Sequence, residues 1–302
     1  MSGYLALRVD LKGLDQVEAR VEAAEAALFA AGALSVTLTD AVDDAILEPA
    51  PGEVRLWPQT VLQALFPAET AGPESIVVLA EALDLPAGRI SVERVADRVW
   101  EREWLKDFHA MRFGRRLWIV PTHEDVPTDP QAVSVRLDPG LAFGTGTHPS
   151  TALCLTWLDS RLPAGADVID YGCGSGVLAI AAARLGARHV QAFDIDPQAL
   201  IATRDNAAAN HVEHLVQVHE TAARLRAPVD VVLANILAGT LVQLAPQLCA
   251  LLRPGGQLVL AGILKQQVHE VRAGFAPWIE LSVFAERDGW SALSGRVAGA
   301  AT

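Results

Sequence analysis

Short apolar segments alternate with longer Ala-rich segments from about residue 166 to the end of the chain. Apolar runs bounded by Gly, Pro or Asp are typical of strands buried in a parallel sheet, and the Ala-rich segments between them predict helices. Asp288-Gly289 predicts a terminal hairpin. The strands are predicted at 166–171, 189–196, 216–219, 229–235 and 257–262, and the helices at 177–186, 197–210 and 239–252. This alternation predicts an α/β domain with a mostly parallel sheet.

The N-terminal part of the chain carries a weaker pattern of the same kind. A strand at 4–9 is followed by a helix at 14–31, which ends at Gly32, and by a second strand at 33–39. Four further segments complete a small α/β sandwich, at 53–57, 61–65, 73–83 and 90–95. The sequence of this part contains no phosphate-binding loop of the Walker type and no cluster of metal ligands.

Between the two parts, apolar residues recur at helical spacing amid alternating charges. The stripe runs from Val92 to Met111 and includes Trp100, Trp104 and Phe108. It predicts an interdomain helix, with the alternative that the stripe packs on one domain. A linker helix would let the first domain swing relative to the second. The predicted organisation is a first domain over residues 1–91, a linker helix over 92–115 and a second domain over 116–302.

Charge is unevenly distributed between these parts. The chain has 302 residues and a formal net charge of -12, and residues 1–90 hold 14 acidic and five basic side chains, a net charge of -9. A negative surface repels phosphate backbones and suits a basic protein, with the alternative that it only aids solubility. Direct binding of nucleic acid is therefore not expected.

The junction between the first C-terminal strand and its helix is rich in glycine. Residues 170–176 read D-Y-G-C-G-S-G, and Asp194 follows Gly172 by 22 positions, at the end of the second strand. Glycines permit positive φ and close approach of a ligand, and the helix N-terminus supplies unpaired N–H groups. An acid at this distance is placed to accept hydrogen bonds from ribose hydroxyls. The combination predicts a nucleotide site, with a purely structural turn as the alternative.

The glycine spacing distinguishes two kinds of nucleotide site. Dinucleotide sites favour G-x-G-x-x-G, whereas this turn has G-x-G-x-G with Asp170 two residues ahead. The turn resembles the first motif of S-adenosylmethionine-dependent methyltransferases. Two other classes stay open: a nicotinamide-dependent dehydrogenase, which would share the turn and Asp194, and a non-catalytic binding or assembly protein on the same fold.

A second informative run lies upstream, over residues 137–151, and reads L-D-P-G-L-A-F-G-T-G-T-H-P-S-T. Taken alone, an ordinary connecting loop is the alternative. Together with the glycine turn, the run resembles the methyltransferases that modify protein L11 of the large ribosomal subunit, over essentially the whole chain. The resemblance implies that Thr151, Gly172, Asp194 and Asn235 contact the cofactor. We add Phe143 and Gly174, which lie in the same two runs, as further candidate contacts.

The resemblance also implies a fold and an activity. The expected fold is a Rossmann-like class I methyltransferase domain, with a mostly parallel seven-stranded sheet and a C-terminal hairpin, preceded by a small ferredoxin-like α/β domain that holds the substrate. The expected enzyme is a protein N-methyltransferase that uses S-adenosylmethionine to modify lysine side chains and the N-terminal amine of this basic ribosomal protein.

The amine must be aligned with the methyl group, and the end of the fourth strand is the candidate place for this. We expect Asn235 and the backbone oxygens at Asn235, Ile236 and Leu237 to orient the amine nitrogen, with a plain turn as the alternative role of Asn235. His148 is a candidate proton acceptor, with a structural role as the alternative. The run N-I-L-A at 235–238 lacks the aromatic residue typical of enzymes that methylate nucleic acid bases.

The remaining sequence features bear on compartment and assembly. The three cysteines, Cys154, Cys173 and Cys249, have no metal-binding spacing and favour structural thiols in a reducing cytoplasm. No signal peptide, membrane span or metal site is expected. We expect a cytoplasmic monomer.

Overall fold

The computed structural model describes residues 4–11, 17–40, 60–67, 85–95, 109–137 and 148–298. The chain divides into two compact units, Met1–Glu103 and Trp104–Thr302. Each unit is built around its own sheet or sheets.

The first unit contains a four-stranded antiparallel sheet in the order β2-β3-β1-β4, with helix α1 between β1 and β2. Alternate residues of β1, namely Leu5, Leu7 and Val9, are buried together with Leu28 of α1, so one face of the sheet forms the core. The elements are β1 Tyr4–Asp10, α1 Val17–Ala30, β2 Ser35–Asp40, β3 Thr60–Pro67 and β4 Ile90–Val95.

The predicted strands at 4–9, 33–39, 61–65 and 90–95 are confirmed, as is the predicted helix at 14–31 within the described residues. The predicted segments at 53–57 and 73–83 lie outside the described residues. Because the second of these would be the other helix of the unit, a ferredoxin-like domain stays a prediction.

The predicted linker helix over 92–115 is wrong at both ends. Residues 92–95 belong to β4, and Met111–Phe113 form strand β5. Val92 pairs with Leu7, so it continues the sheet of the first unit, where backbone pairing prevails over helical spacing. Residues 96–108 lie outside the described part of the chain.

The second unit begins with a small sheet that the sequence analysis missed. Strands β5 Met111–Phe113, β6 Leu117–Val120 and β7 Val133–Arg136 lie in that order, with β5 antiparallel and β7 parallel to β6. The strands are only three or four residues long, which is too short for a clear alternation.

The main sheet has seven strands in the order β10-β9-β8-β11-β12-β14-β13. The first five are parallel, and β14 runs antiparallel to both β12 and β13. The central strand β11 is buried from Val229 to Ala234, as its apolar sequence requires. The strands are β8 Asp167–Tyr171, β9 His189–Phe193, β10 Val216–His219, β11 Val229–Asn235, β12 Leu252–Leu264, β13 Leu281–Arg287 and β14 Trp290–Arg296.

Helices cover both faces of this sheet, and a separate apolar cluster fills the space on each side. The strand order reverses between β8 and β11, so the carboxyl ends of β8, β9 and β11 flank a topological switch point. The predicted α/β alternation and terminal hairpin are confirmed. The helices are α2 Pro149–Arg161, α3 Val177–Arg184, α4 Pro197–Ala209, α5 Ala238–Ala250 and α6 Val268–Phe275.

The predicted start of the strand at 257–262 is wrong. Residues 253–256, with the sequence R-P-G-G, separate the predicted helix at 239–252 from that strand, but they lie within β12. Gly255 N donates to the Val297 oxygen and Val297 N donates to the Gly256 oxygen, at 3.1 and 2.9 Å. Pairing with a segment distant in sequence therefore extends the strand through a run typical of turns.

Candidate cofactor and amine site

The glycine turn joins β8 to α3 at the carboxyl edge of the main sheet. Gly172, Gly174 and Gly176 have φ of 80°, 54° and 80°, so each lies in the left-handed region. The N–H groups of Gly172 and Cys173 donate to the Phe193 oxygen at 2.8 and 3.0 Å, which ties the start of the turn to β9. The turn thus places a glycine cradle at the N-terminus of α3, in which Gly172 and Gly174 are half-buried.

Asp194 lies directly after β9 and is hydrogen-bonded to this turn. Gly174 N donates to its Oδ2 at 2.9 Å, and Asp196 N donates to its Oδ1 at 3.0 Å. A carboxylate has about four acceptor positions, so this geometry leaves capacity for two hydroxyl donors. Asp194 and Gly174, both predicted as cofactor contacts, are therefore in direct contact with each other.

Asn235 ends β11, and Thr151 lies in the first turn of α2. Asn235 Nδ2 donates to Thr151 Oγ1 at 3.2 Å, across 84 positions of sequence. Thr151 is buried and Asn235 is half-buried. The fold therefore brings together two more of the predicted cofactor contacts. The side-chain oxygen of Asn235, Oδ1, is left as an acceptor for an amine.

The backbone after Asn235 is used for packing. The Leu237 oxygen accepts from Leu241 N at 3.0 Å, in the first turn of α5. A Cβ on Gly262 would lie 2.3 Å from the Ile236 oxygen, so that carbonyl faces β12 closely. Of the three predicted backbone acceptors, these contacts favour Asn235 over Ile236 and Leu237 for holding an amine.

His148 is the N-cap residue of α2. Ser150 N donates to its Nδ1 at 3.3 Å, and Ser150 Oγ lies 2.7 Å from the same atom. Because Nδ1 accepts, the neutral ring carries its proton on Nε2, which favours the structural alternative over a proton acceptor. The ring packs edge-on against Trp290, with centroids 4.6 Å apart, and partial burial lowers the pKa of His148.

Two residues near the site were missed from the sequence. Ile195 follows Asp194 and is 88% exposed, which is unusual for a large apolar side chain beside a strand end. Trp290 begins β14 and reaches His148 only because the hairpin folds back onto the sheet. The sequence does not indicate that Ile195 is exposed. Its position directly after Asp194 could still have identified it as a residue of the site. Phe143 and most of the 137–151 run lie outside the described residues.

The described residues fit a nucleoside sulfonium cofactor. A ligand can approach the backbone of the glycine cradle closely because the glycines have no side chains. The partly exposed Asp194 carboxylate can accept hydrogen bonds from hydroxyl groups, and Ile195 offers an apolar surface beside it. Among the described residues, no group of three or more His, Cys, Asp or Glu side chains could hold a metal ion. In the same part of the chain, no helix is long and apolar enough to cross a membrane.

The strand order, the terminal antiparallel hairpin, the glycine turn and the polar ends of β9 and β11 together define a class I S-adenosylmethionine-dependent methyltransferase. The family model described as ribosomal protein L11 methyltransferase (PrmA) matches residues 13–298. The chain belongs to this family.

Individual relatives agree with the family model. The ribosomal protein L11 methyltransferase of Pseudomonas aeruginosa PAO1 is 52% identical over 281 residues, covering 92% of this chain and 94% of the relative. That of Vibrio cholerae is 52% identical over 271 residues, covering 89% and 91%. The solved ribosomal protein L11 methylase of Lactobacillus delbrueckii subsp. bulgaricus is 34% identical with a TM-score of 0.59, covering 63% of this chain and 100% of that one. S-adenosylmethionine is therefore the cofactor of this methyltransferase.

Proposed function

We propose that the protein methylates lysine side chains and the N-terminal amine of ribosomal protein L11, with S-adenosylmethionine as the methyl donor. The observation that carries the proposal is the Asn235–Thr151 hydrogen bond. It holds a side-chain carbonyl acceptor at the carboxyl edge of the sheet, between the glycine turn and α2.

The reaction requires a neutral amine. With a lysine pKa near 10.4, only about one amine in 2,500 is neutral at pH 7, a penalty of roughly 4.6 kcal/mol. The cofactor, when bound, supplies a methyl group activated by the sulfonium charge. Asn235 would accept a hydrogen bond from the amine and direct the nitrogen lone pair away from the amide, toward that methyl. Desolvation of the amine beside a cation would lower its pKa.

In this proposal five residues of the described site contact the cofactor. Gly172 and Gly174 would face it with their backbone, Asp194 would accept from its ribose, and Thr151 would contact it from α2. Ile195 would cover the base. Phe143 stays a predicted contact in the upstream run.

The partner assignment follows from charge and from the family. An acidic N-terminal part suits a basic ribosomal protein and repels RNA, so we propose direct contact with protein and not with nucleic acid. We further propose that the enzyme acts as a monomer in the cytoplasm, where ribosomal proteins are made, and that the N-terminal unit holds the substrate.

Intact-mass spectrometry of purified L11, incubated with this protein and S-adenosylmethionine, tests the proposal. We expect mass increases in steps of one methyl group, which are absent with Gly172→Asp. Fragmentation should place the added methyl groups on lysines and on the N-terminal amine. An L11 whose N-terminus is acetylated should lose the N-terminal methylation and keep the lysine methylation. If calorimetry shows cofactor binding but no mass increase occurs, L11 is not the substrate or the protein is a non-catalytic binder.

Asp194→Ala is expected to raise the Kd for S-adenosylmethionine by ten- to a hundredfold. A charged acceptor to a hydroxyl contributes about 1.5–3 kcal/mol, and the variant also frees Gly174 N. Isothermal titration calorimetry measures the change.

Asp196→Ala is the matched control for this variant. Asp196 Oδ1 accepts from Gln198 N at the start of α4, so its loss should cost about 1 kcal/mol of stability and leave the Kd unchanged. Equal Kd values for wild type and Asp194→Ala would reject the proposed ribose contact.

A further inference from the structure

Asp170 is a buried acid in the middle of the main sheet. Its neighbours in register are Ala192 on β9 and Leu233 on β11, and its exposed fraction is 0%. The glycine turn begins two residues later. Sequence reasoning singled out this acid only as part of the turn motif, and the site described above gives it no role.

The two carboxyl oxygens of Asp170 have different surroundings. Oδ2 accepts from Ala179 N at 3.0 Å, in the first turn of α3. Oδ1 is buried and has no hydrogen-bond partner within the described part of the chain. A buried carboxylate oxygen without a partner is costly, whereas a protonated carboxyl needs no charge compensation.

Among the described residues, the titratable groups that face Asp170 are all neutral or acidic. They are Cys154 on α2, Cys173 in the glycine turn and Asp194 after β9. Burial raises the pKa of both thiols, so both stay neutral and neither brings a charge. No described cation faces the carboxyl, although the N-terminus of α3 contributes a partial positive charge through Ala179 N.

These surroundings favour the protonated acid. Burial raises the pKa of Asp170 to about 7, the Ala179 N–H lowers it by a smaller amount, and the Asp194 charge raises it. Burial therefore favours the protonated carboxyl in the cofactor-free protein.

We propose that the Asp170 carboxyl holds a proton in the cofactor-free protein and loses it to solvent when S-adenosylmethionine binds, so that a buried carboxylate balances the charge of the cofactor. The proposal rests on the placement of the cofactor at the glycine turn. The chemistry is a single ionisation, in which the carboxylic acid becomes a carboxylate and the buffer takes the proton.

The sign of the pH dependence follows from linkage. The cofactor-free protein binds the proton more tightly than the complex, so protons oppose cofactor binding. An opposite charge within about 4–6 Å lowers the pKa of a carboxyl by roughly 1–3. We therefore expect the affinity to increase up to tenfold for each pH increase of one, between about pH 5.5 and pH 7, and to become constant above about pH 8.

Calorimetry of the intact protein tests this directly. S-adenosylmethionine is titrated at several pH values, each in buffers of different ionisation enthalpy, which gives the number of protons released. We expect proton release near pH 7 and an equal or greater release near pH 6. Binding without proton release at both pH values would overturn the proposal, and absence of binding would instead contradict the cofactor site itself.

Asp170→Asn assigns the proton to this residue. Asparagine still accepts from Ala179 N but has no ionisable group, so proton release should disappear and the affinity should become independent of pH. Asp194→Asn is the matched control: binding is weaker, and proton release remains but moves to lower pH, because loss of the Asp194 charge lowers the pKa of Asp170. Release that persists in Asp170→Asn overturns the assignment. If that variant does not fold, infrared difference spectra of the wild type should show loss of a protonated carboxyl band on binding, and an unchanged band overturns the proposal.

S-adenosylhomocysteine distinguishes the two positive charges of the cofactor, because it keeps the α-ammonium and lacks the sulfonium. Reduced proton release with this product would assign the linkage to the sulfonium. Equal release would assign it to the ammonium. Either result supports the proposal, and no release with either ligand overturns it.

Discussion

Gly172→Ala is expected to weaken binding of S-adenosylmethionine by about 100-fold and to reduce methyl transfer accordingly. At a φ of 80°, any residue with a Cβ is strained by about 1–2 kcal/mol. That Cβ would also lie 2.4 Å from Ile236 Cγ2, and overpacking of this kind costs about 1–3 kcal/mol. Displacement of Ile236 disturbs the segment after Asn235, so both the cradle and the amine site are affected. Calorimetry of the cofactor measures the loss.

Gly186→Ala is the matched control. Gly186 follows α3 and also has a positive φ, 103°, but a Cβ there would meet nothing within 4 Å. The same substitution should cost about 1–2 kcal/mol of stability and leave the Kd for the cofactor unchanged. If both variants bind the cofactor as the wild type does, the close contact between the glycine turn and Ile236 has no part in the site.

Asn235→Ala is expected to reduce kcat for L11 methylation by about 100- to 1,000-fold at saturating cofactor, because the acceptor proposed to orient the amine is lost. The Kd for S-adenosylmethionine should increase by less than about tenfold, since loss of one neutral hydrogen bond costs only about 1 kcal/mol. Single-turnover kinetics with L11 separate the two effects.

Thr151→Val removes the hydroxyl that accepts from Asn235 while keeping the side-chain shape. We expect about a tenfold decrease in kcat, because the amide is still present but is less well oriented.

A large increase in Kd for the cofactor in Asn235→Ala, with kcat unchanged, would show that Asn235 binds the cofactor and does not position the amine.

Much of the candidate site could be predicted from short motifs. Gly172, Gly174 and Asp194 lie in one stretch of strand, turn, helix and strand, so their spacing in the sequence is enough to place them near each other. By contrast, the contact between Asn235 and Thr151 joins residues 84 positions apart. The resemblance to the family named both residues, but their hydrogen bond and its direction depend on how α2 packs against the sheet.

The same distinction explains the predictions that were wrong. The residues at 92–95 have helical spacing, yet they complete the sheet of the first unit by pairing with β1. The R-P-G-G run has the composition of a turn, yet Val297 pairs with it. In both cases hydrogen bonds to distant residues prevailed over the local pattern.

The sequence by itself determined the α/β alternation, the terminal hairpin and the nucleotide turn, because each depends on local periodicity or on glycine conformations within a few residues. Only the tertiary structure decided the small sheet of β5 to β7, the capping role of His148 beside Trp290, and the absence of a cation around Asp170 among the described residues. These features depend on burial and on contacts between distant segments, and the ionisation of a carboxyl is decided by the groups that surround it in space.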